Sequence, residues 1–392
     1  MDEQSRKSMA ARGRWAVAAM FFINGFITGS WAPQIPVLLV RLEISRFTLG
    51  LLILLFGAGA VVAMSWCGYL IARHGSRIVL SRFAVAASFG LLLVALAPNL
   101  MLATLTMIAF GGLIGAMDVA MNTNAVVVER RLARAIMSSS HGFWSLGGFV
   151  GGGLGGLGIQ TFGHLAHSMI VTAVAFAGVM LANRHLVSEG QPGGTARPRF
   201  SLPRNPLIYL IGVMALFSMT PEGAVLDWAA LYLQQELGAD LATASLAFAA
   251  FSGVMACMRF AGDAVRNRFG AVTTLRVSAF IAATGMLGAG LAPAPWMAIA
   301  CFAFCGIGIA NMVPIAFSAA GNQHGISSGV GMSVVTTMGY SGILVAPSAI
   351  GFVAEHVGFS PVFIGLSGLL VIVFLMAGRV RRADFSATQP AE

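Results

Sequence analysis

The sequence predicts an all-α polytopic membrane protein, with twelve transmembrane helices in two pseudo-symmetric six-helix bundles. Apolar residues make up 57% of the 392 residues and charged residues only 9%, against roughly 25% charged residues in soluble domains. Several long stretches carry no Asp, Glu, Lys or Arg, and they can supply the roughly 20 apolar residues that a membrane-spanning helix needs. A mean hydropathy of +0.85 agrees with this reading. These values exclude a soluble enzyme, a disordered chain and a nucleic-acid-binding module.

Charged or helix-breaking residues bound the predicted spans. The third and fourth spans separate at Pro98-Asn99, the fifth and sixth at the polar stretch 164–168, and the ninth and tenth at 293–295. The polar stretch 322–324 separates the tenth span from the eleventh. The first span is too long for the apolar region of a cleavable signal peptide. The predicted spans are 15–37, 48–72, 78–97, 100–124, 139–160, 165–183, 207–233, 241–264, 271–292, 295–319, 327–352 and 358–378.

The positions of Lys and Arg predict the orientation of the chain. With the N-terminus in the cytoplasm, 21 of the 23 basic residues fall at cytoplasmic helix ends and loops. Arg41 and Arg46 alone lie on the other side. Because basic residues are enriched on the cytoplasmic side of membrane proteins, we expect a bacterial inner-membrane protein with both termini in the cytoplasm.

The longest polar stretch, 184–206, contains Pro192, Pro198, Pro203 and the pair Gly193-Gly194, and we expect it to be a mobile cytoplasmic linker. The predicted domains are therefore an N-terminal six-helix bundle over 1–183, the linker, and a C-terminal six-helix bundle over 207–392. The segments 68–77 and 263–270 follow the second and eighth spans and echo each other at a constant offset. Two similar halves are typical of secondary transporters, which bind substrate between the halves near the membrane midplane.

Several segments resemble known families. Residues 68–77 (GYLIARHGSR) resemble the loop motif of the major facilitator superfamily, with Ala72 where that family usually has Asp. Four further segments resemble the MosC/YbjJ-type group of that superfamily, whose MosC-like members are linked with uptake of rhizopine, an inositol derivative. They are more distantly similar to the fucose:proton symporter, whose fourth span carries Glu-x-Ala-x-Asn with the Glu as a proton site. The resemblance implies the major facilitator fold. The four segments are 118–122, 128–130, 141–147 and 222–228.

Acids inside the predicted spans are candidates for proton coupling, because ionisable side chains are costly in a membrane. Asp118 in span 4 matches the Glu of the symporter motif, and Glu222 lies near the middle of span 7. We expect Asp118 to be the main proton site and Glu222 the second, since no Lys or Arg inside the first-half spans can neutralise them. A neutral acid hydrogen-bonded to a neighbouring helix is the alternative. Arg259, near the inner end of span 8, is expected to extend towards the membrane surface.

Polar and aromatic side chains inside the spans are candidates for substrate contact. A Trp ring can stack on the apolar face of a sugar, and an imidazole can donate or accept hydrogen bonds. His141 and Trp144 open span 5, where the resemblance to the fucose symporter implies sugar contacts. Structural roles, such as a packed histidine or an interfacial tryptophan, are the alternative. The eight candidates are Asn24, Trp31, Gln34, Asn122, His141, Trp144, Asn311 and Tyr340.

Three charged residues at the cytoplasmic ends are candidates for gating. Glu129 ends span 4 beside two arginines, and Arg73 and Arg77 follow span 2. An ion pair between Glu129 and Arg73 or Arg77 would hold the inner gate shut in one state. A solvated surface pair worth under about 1 kcal/mol is the alternative.

Together these features predict a secondary transporter and not an enzyme. We expect proton-coupled symport of a small polyhydroxylated solute, a sugar or cyclitol, by alternating access. The expected partners are the small-molecule substrate, protons and the lipid bilayer, without nucleic acid, and the protein is expected to be monomeric. No ATP-binding phosphate loop occurs in the sequence, and no cofactor or metal is expected. A proton antiporter that exports amphipathic compounds is the first alternative, and a non-transporting sensor or scaffold is the second.

Overall fold

The computed structural model describes residues 3–188, 202–239 and 241–384, and its regular secondary structure over these residues is helical throughout. Within that part of the chain the helices are α1 Glu3–Trp31, α2 Gln34–Arg41, α3 Arg46–His74, α4 Ser76–Ser88, α5 Gly90–Leu96, α6 Leu100–Leu132, α7 Met137–Asn183, α8 Pro206–Gln235, α9 Leu241–Phe269, α10 Ala271–Gly290, α11 Pro295–Gly321, α12 Ser328–Val357, α13 Phe359–Met376 and the 3₁₀ helix η1 Ala377–Ala383.

The predicted fold class is confirmed, with small differences at the span boundaries. Ten segments of the described helices are long and apolar enough to cross a membrane. The first predicted span is divided into α1 and α2, and the third into α4 and α5. The predicted break between the fifth and sixth spans lies at Gly163, one residue before 164–168, where two helical segments of α7 meet at a non-helical φ of 83°. Glycine adopts this backbone conformation without a steric penalty, so the chain turns there and the second helical segment begins.

Two tight turns repeat between the halves of the chain. Gly75 joins α3 to α4 with φ of 79°, and Gly270 joins α9 to α10 with φ of 80°. The amide of each glycine also bonds to a carbonyl four residues earlier, Ile71 and Arg266 respectively. The segments that echo each other in the sequence therefore fold into the same helix–glycine–helix turn.

The described helices divide into two compact units. The first comprises Met1–Ile136, Ser140–Pro203 and His324–Ser333, and the second comprises Met137–Ser139, Arg204–Gln323 and Val334–Glu392. Along the chain the division falls inside the predicted linker 184–206, of which residues 189–201 lie outside the described part.

Each unit is built around one buried helix. In the first unit α6 packs against α1, α3 and α4, and in the second unit α11 packs against α8, α9 and α10. Both central helices are buried along much of their length. Polar residues on these two helices therefore lie in the interior of their unit.

Candidate functional site

An acid and an amide lie in the middle of α6. Residues 114–129 of this helix are all buried, and Asp118 and Asn122 are one turn apart on the same face. Asp118 is 4% exposed and Asn122 is fully buried. The Asn122 Nδ2 donates a hydrogen bond of 2.9 Å to the backbone carbonyl of Asp118. This bond fixes the orientation of the Asn122 amide.

Helix α7 brings His141 to this pair. The Nε2 of His141 donates a hydrogen bond of 3.1 Å to Asn122 Oδ1. The Phe21 ring of α1 contacts the imidazole edge-on, with 5.1 Å between ring centroids. The imidazole is therefore held between three helices in the interior of the first unit.

One turn further along α7, Trp144 joins the same interior to α1. The Trp144 Nε1 donates to Asn24 Oδ1 at 2.9 Å, and Asn24 Nδ2 donates to the Ile114 carbonyl of α6 at 3.4 Å. The two helices can approach because a Cβ at Gly25 or Gly147 would collide with the backbone of the other helix. We call the following residues the first-unit cluster: Asn24, Asp118, Asn122, His141 and Trp144.

The predicted contacts Gln34 and Trp31 lie apart from these hydrogen bonds. The Gln34 Nε2 lies 3.0 Å from the His164 carbonyl, 2.9 Å from His167 Nδ1 and 3.0 Å from Ser168 Oγ. Trp31 contacts Phe110 edge-on instead. The Gln34 amide thus ties α2 to the second part of α7. Sequence reasoning missed this network because it interpreted the polar stretch 164–168 only as a break between spans.

Glu222 forms an ion pair inside the second unit. The Arg259 Nη2 of α9 lies 3.1 Å from Glu222 Oε1 of α8, and Arg259 is 5% exposed. The expectation that Arg259 extends towards the membrane surface was therefore wrong. Its position near the end of a predicted span did not reveal that its face of α9 packs against α8, where a carboxylate compensates its charge.

Asn311 and Tyr340 also belong to the second unit. Asn311 on α11 is 1% exposed, and its Oδ1 has no hydrogen-bond partner among the described residues. A Cβ at Gly262 of α9 would collide with this oxygen, so the glycine makes room for the amide. Tyr340 on α12 is half-buried.

The predicted gating pair is not formed in this structure. Glu129 is fully buried, and its Oε1 accepts a hydrogen bond of 2.9 Å from the Ile136 amide. Arg73 and Arg77 are exposed, and neither forms an ion pair with Glu129. The reason is the left-handed residue Ala133, which reverses the chain after α6 and brings the start of α7 beside the Glu129 carboxylate.

Sequence reasoning also missed three acids that bind helix N-termini far away in the sequence. The carboxylates of Asp263, Glu236 and Asp384 accept hydrogen bonds from the first amides of α7, α13 and α10 respectively. The one signal available in the sequence is a helix that starts without a capping side chain of its own. The three residues at these uncapped starts are Ile136, Gly358 and Gly270.

These features define a class of protein. The described chain is a multi-pass helical membrane protein in which polar clusters and an ion pair lie inside otherwise apolar helix packing. In a membrane such groups mark substrate or ion pathways.

The comparisons then identify the family. The family model of the Major Facilitator Superfamily matches residues 17–341 and 214–391, so the chain belongs to this superfamily and is a membrane transporter, not an enzyme. It is 34% identical over 364 residues to an uncharacterized transporter of this type from Yersinia pestis, across 92% of this chain and 94% of that protein. It is 33% identical over 364 residues to the membrane protein MosC of Rhizobium meliloti, across 91% and 88%.

Solved structures share the fold. A crystal structure of the superfamily transporter FucP in the outward conformation matches with a TM-score of 0.80 and 15% identity, over 93% of this chain and 97% of that one. The proton:xylose symporter XylE matches with a TM-score of 0.70 and 12% identity, over 94% and 95%. At these identities the likeness supports the fold alone.

Proposed function

We propose that this transporter carries out proton-coupled symport of a small polyhydroxylated solute, a sugar or cyclitol, by alternating access. The observation that carries the proposal is the first-unit cluster. Its amide, imidazole and indole groups supply uncharged donors and acceptors beside a buried acid. Such a set suits the hydroxyl groups of a neutral solute.

The shape of the cluster supports a sugar or cyclitol. The Trp144 ring offers a flat apolar surface, and its Nε1 holds the Asn24 amide in one orientation. A ring with hydroxyl groups at its edge and apolar C–H faces fits such a combination. FucP is itself described as the Escherichia coli fucose:proton symporter, which agrees with the proposed solute class.

Proton coupling is proposed for Asp118 and Glu222. Both are acids within apolar helices, and a carboxyl group there can change charge by taking one proton. Asp118 lies one turn from Asn122, which supports a link between proton binding and the proposed solute contacts. Glu222 is placed to change the charge balance around Arg259.

The topology is also a proposal. The distribution of basic residues supports a bacterial inner-membrane protein with cytoplasmic termini and a cytoplasmic linker. Single cysteines at Gly193 and at Arg41, introduced after removal of the four native cysteines, should differ in reactivity with an impermeant thiol reagent. In intact cells the cysteine at 41 should react and the one at 193 should not. The reverse pattern would invert the topology.

Transport into proteoliposomes tests the function. Purified protein is reconstituted, and uptake from a panel of radiolabelled sugars and cyclitols is measured with and without an inwardly directed proton gradient. Accumulation of one solute that a protonophore abolishes is the expected result. Downhill uptake that does not depend on the proton gradient would make the protein a uniporter. Movement of amphipathic cations against the direction of the proton gradient would make it an exporter.

A further inference from the structure

Helix α7 starts without a cap of its own. Its N-cap residue is Ile136, and its first turn contains no acid. The Asp263 carboxylate of α9 supplies the missing acceptors, with Oδ1 2.9 Å from the Ser138 amide and Oδ2 2.9 Å from the Ser139 amide. The Ser139 hydroxyl donates to Oδ2 as well. Asp263 is 9% exposed, so this contact is largely shielded from water.

Asp263 shares one face of α9 with Arg259. Residues four positions apart on a helix have Cβ atoms roughly 5–6 Å apart, so a long guanidinium on the first reaches a carboxylate on the second. Arg259 currently pairs with Glu222 at 3.1 Å. Arg259 therefore lies between two acids, Glu222 with which it pairs and Asp263 one turn further along α9, and Asp263 binds the start of α7.

Neutralising Glu222 changes this arrangement. When a proton from the aqueous phase binds the Glu222 carboxylate, the acid becomes neutral and Arg259 keeps its positive charge. A buried cation that loses its partner is strongly destabilised, and the next carboxylate along its helix compensates it. Asp263 is that carboxylate, and each hydrogen bond that it accepts from Arg259 competes with those that it accepts from the α7 amides.

We propose that Arg259 is a positioning residue that passes the charge state of Glu222 to the first turn of α7 through Asp263. The inference rests on the proposed function, in which Glu222 takes up a proton. Helix α7 continues without a break from Ser139 to His141 and Trp144, since its one non-helical residue is Gly163. A loosened first turn thus acts on the helix that carries two proposed solute contacts.

Other charged and titratable groups near Glu222 come from the helices that pack on α8. One of these is α12, which carries Tyr340 and whose Gly342 lies against Thr220 of α8. Arg259 comes from α9, and the Cys305 thiol of α11 lies within electrostatic range of Glu222. Helix α13 carries no titratable residue between Phe359 and Met376. The 3₁₀ helix η1 carries three arginines, which are Arg379, Arg381 and Arg382. Among these groups Arg259 makes the ion pair with Glu222.

Hydrogen–deuterium exchange of the full-length protein in detergent tests the relay. Glu222→Gln mimics the protonated acid and should speed exchange of the Ser138 and Ser139 amides about five- to tenfold, which is the effect of losing one helix cap. The double variant Glu222→Gln/Arg259→Gln should exchange at the wild-type rate, because Arg259 then no longer draws on Asp263, while the neighbouring Arg266 keeps its bond to Ser318 Oγ. Asp263→Asn should speed exchange by itself, and adding Glu222→Gln should change nothing further.

Asp227→Asn is the matched control, because Asp227 is an exposed acid on the same helix as Glu222 and should leave these amides unchanged. The inference is overturned if Glu222→Gln leaves the exchange unchanged while Asp263→Asn speeds it. It is also overturned if the double variant exchanges as fast as Glu222→Gln. Gradient-driven uptake by the same variants reports on the proposed function separately: intact uptake by Glu222→Gln with fast exchange would remove the proton role and keep the relay.

Discussion

The two units solve the problem of buried polar groups differently. In the first unit the hydrogen-bonding groups are uncharged amide and indole groups and an imidazole, in two pairs: His141 with Asn122, and Trp144 with Asn24. In the second unit α9 buries a guanidinium, which pairs with a part-buried carboxylate of α8. Uncharged hydrogen-bonding groups can exchange their partners for a neutral solute at small cost, whereas a buried ion pair responds to a change of charge. The difference favours solute contact in the first unit and charge sensing in the second.

The repeated turns show the same contrast. The turns at Gly75 and Gly270 have nearly identical backbone angles. On the helix before the first turn, Gly68 packs closely against Gly329 and Ser333, and the Ser333 hydroxyl donates to the Met64 carbonyl. On the helix before the second turn, Asp263 binds the amides of α7. The two halves therefore share the backbone conformation of the turn. They differ on the helix before it, which packs through small residues in the first half and carries a carboxylate in the second.

The largest effect should come from Asp118→Asn. This change keeps the shape of the side chain but prevents loss of a proton, so solute exchange should persist and accumulation should stop. With one proton per solute, a pH difference of two units supports about a hundredfold accumulation, which the variant should lose entirely. Proteoliposome counterflow and gradient-driven uptake measure the two properties. Normal accumulation by Asp118→Asn would leave Asp118 a structural acid and move the proton site to Glu222.

The second largest effect concerns stability. Arg259→Gln removes the buried partner of the ion pair and should cost about 1–3 kcal/mol, since the Glu222 carboxylate loses its hydrogen bond but is 26% exposed and partly solvated. The double variant Arg259→Gln/Glu222→Gln should recover most of that loss. Thermal unfolding in detergent measures both, with Arg73→Gln as an exposed control expected to change little. A double variant no more stable than Arg259→Gln would show that the pair contributes nothing specific.

A smaller effect is expected for Trp144→Phe. The change keeps an aromatic ring and removes the Nε1 donor that orients Asn24, so it should weaken solute binding by about 1 kcal/mol, close to fivefold. The half-saturation concentration of counterflow reports this. Trp15→Phe is the matched control, because Trp15 is 66% exposed. If both variants bind alike, Trp144 has only a packing role.

The sequence predicts the fold well because the apolar runs and the charged residues that end them are local signals. The sequence singles out Asn24, Asn122, His141 and Trp144 as candidate residues. It does not predict that Asn122 pairs with His141 and Asn24 with Trp144, because these contacts join different helices. It fails at Arg259 because a position near a helix end does not say which neighbouring helix it faces. The sequence does not predict the role of Asp263, because a helix cap that is supplied by another helix leaves no periodic pattern or fixed spacing in the sequence. Whether 1–183 and 207–392 form independent bundles stays a prediction.

The smallest effect should come from the predicted gate. Glu129→Gln keeps an oxygen that can accept the hydrogen bond of the Ile136 amide, so stability and transport should change by less than about 1 kcal/mol. Glu129→Ala leaves that amide without its acceptor and should cost about 1–3 kcal/mol of stability. A double-mutant cycle of Glu129→Gln with Arg73→Gln should show a coupling energy near zero, because Arg73 is exposed and makes no ion pair with Glu129. Thermal unfolding and counterflow rates are measured for the wild type, the two single variants and the double variant. Coupling in transport but not in stability would mean that the pair forms in another conformational state, and the gating role first expected for Glu129 would then stand.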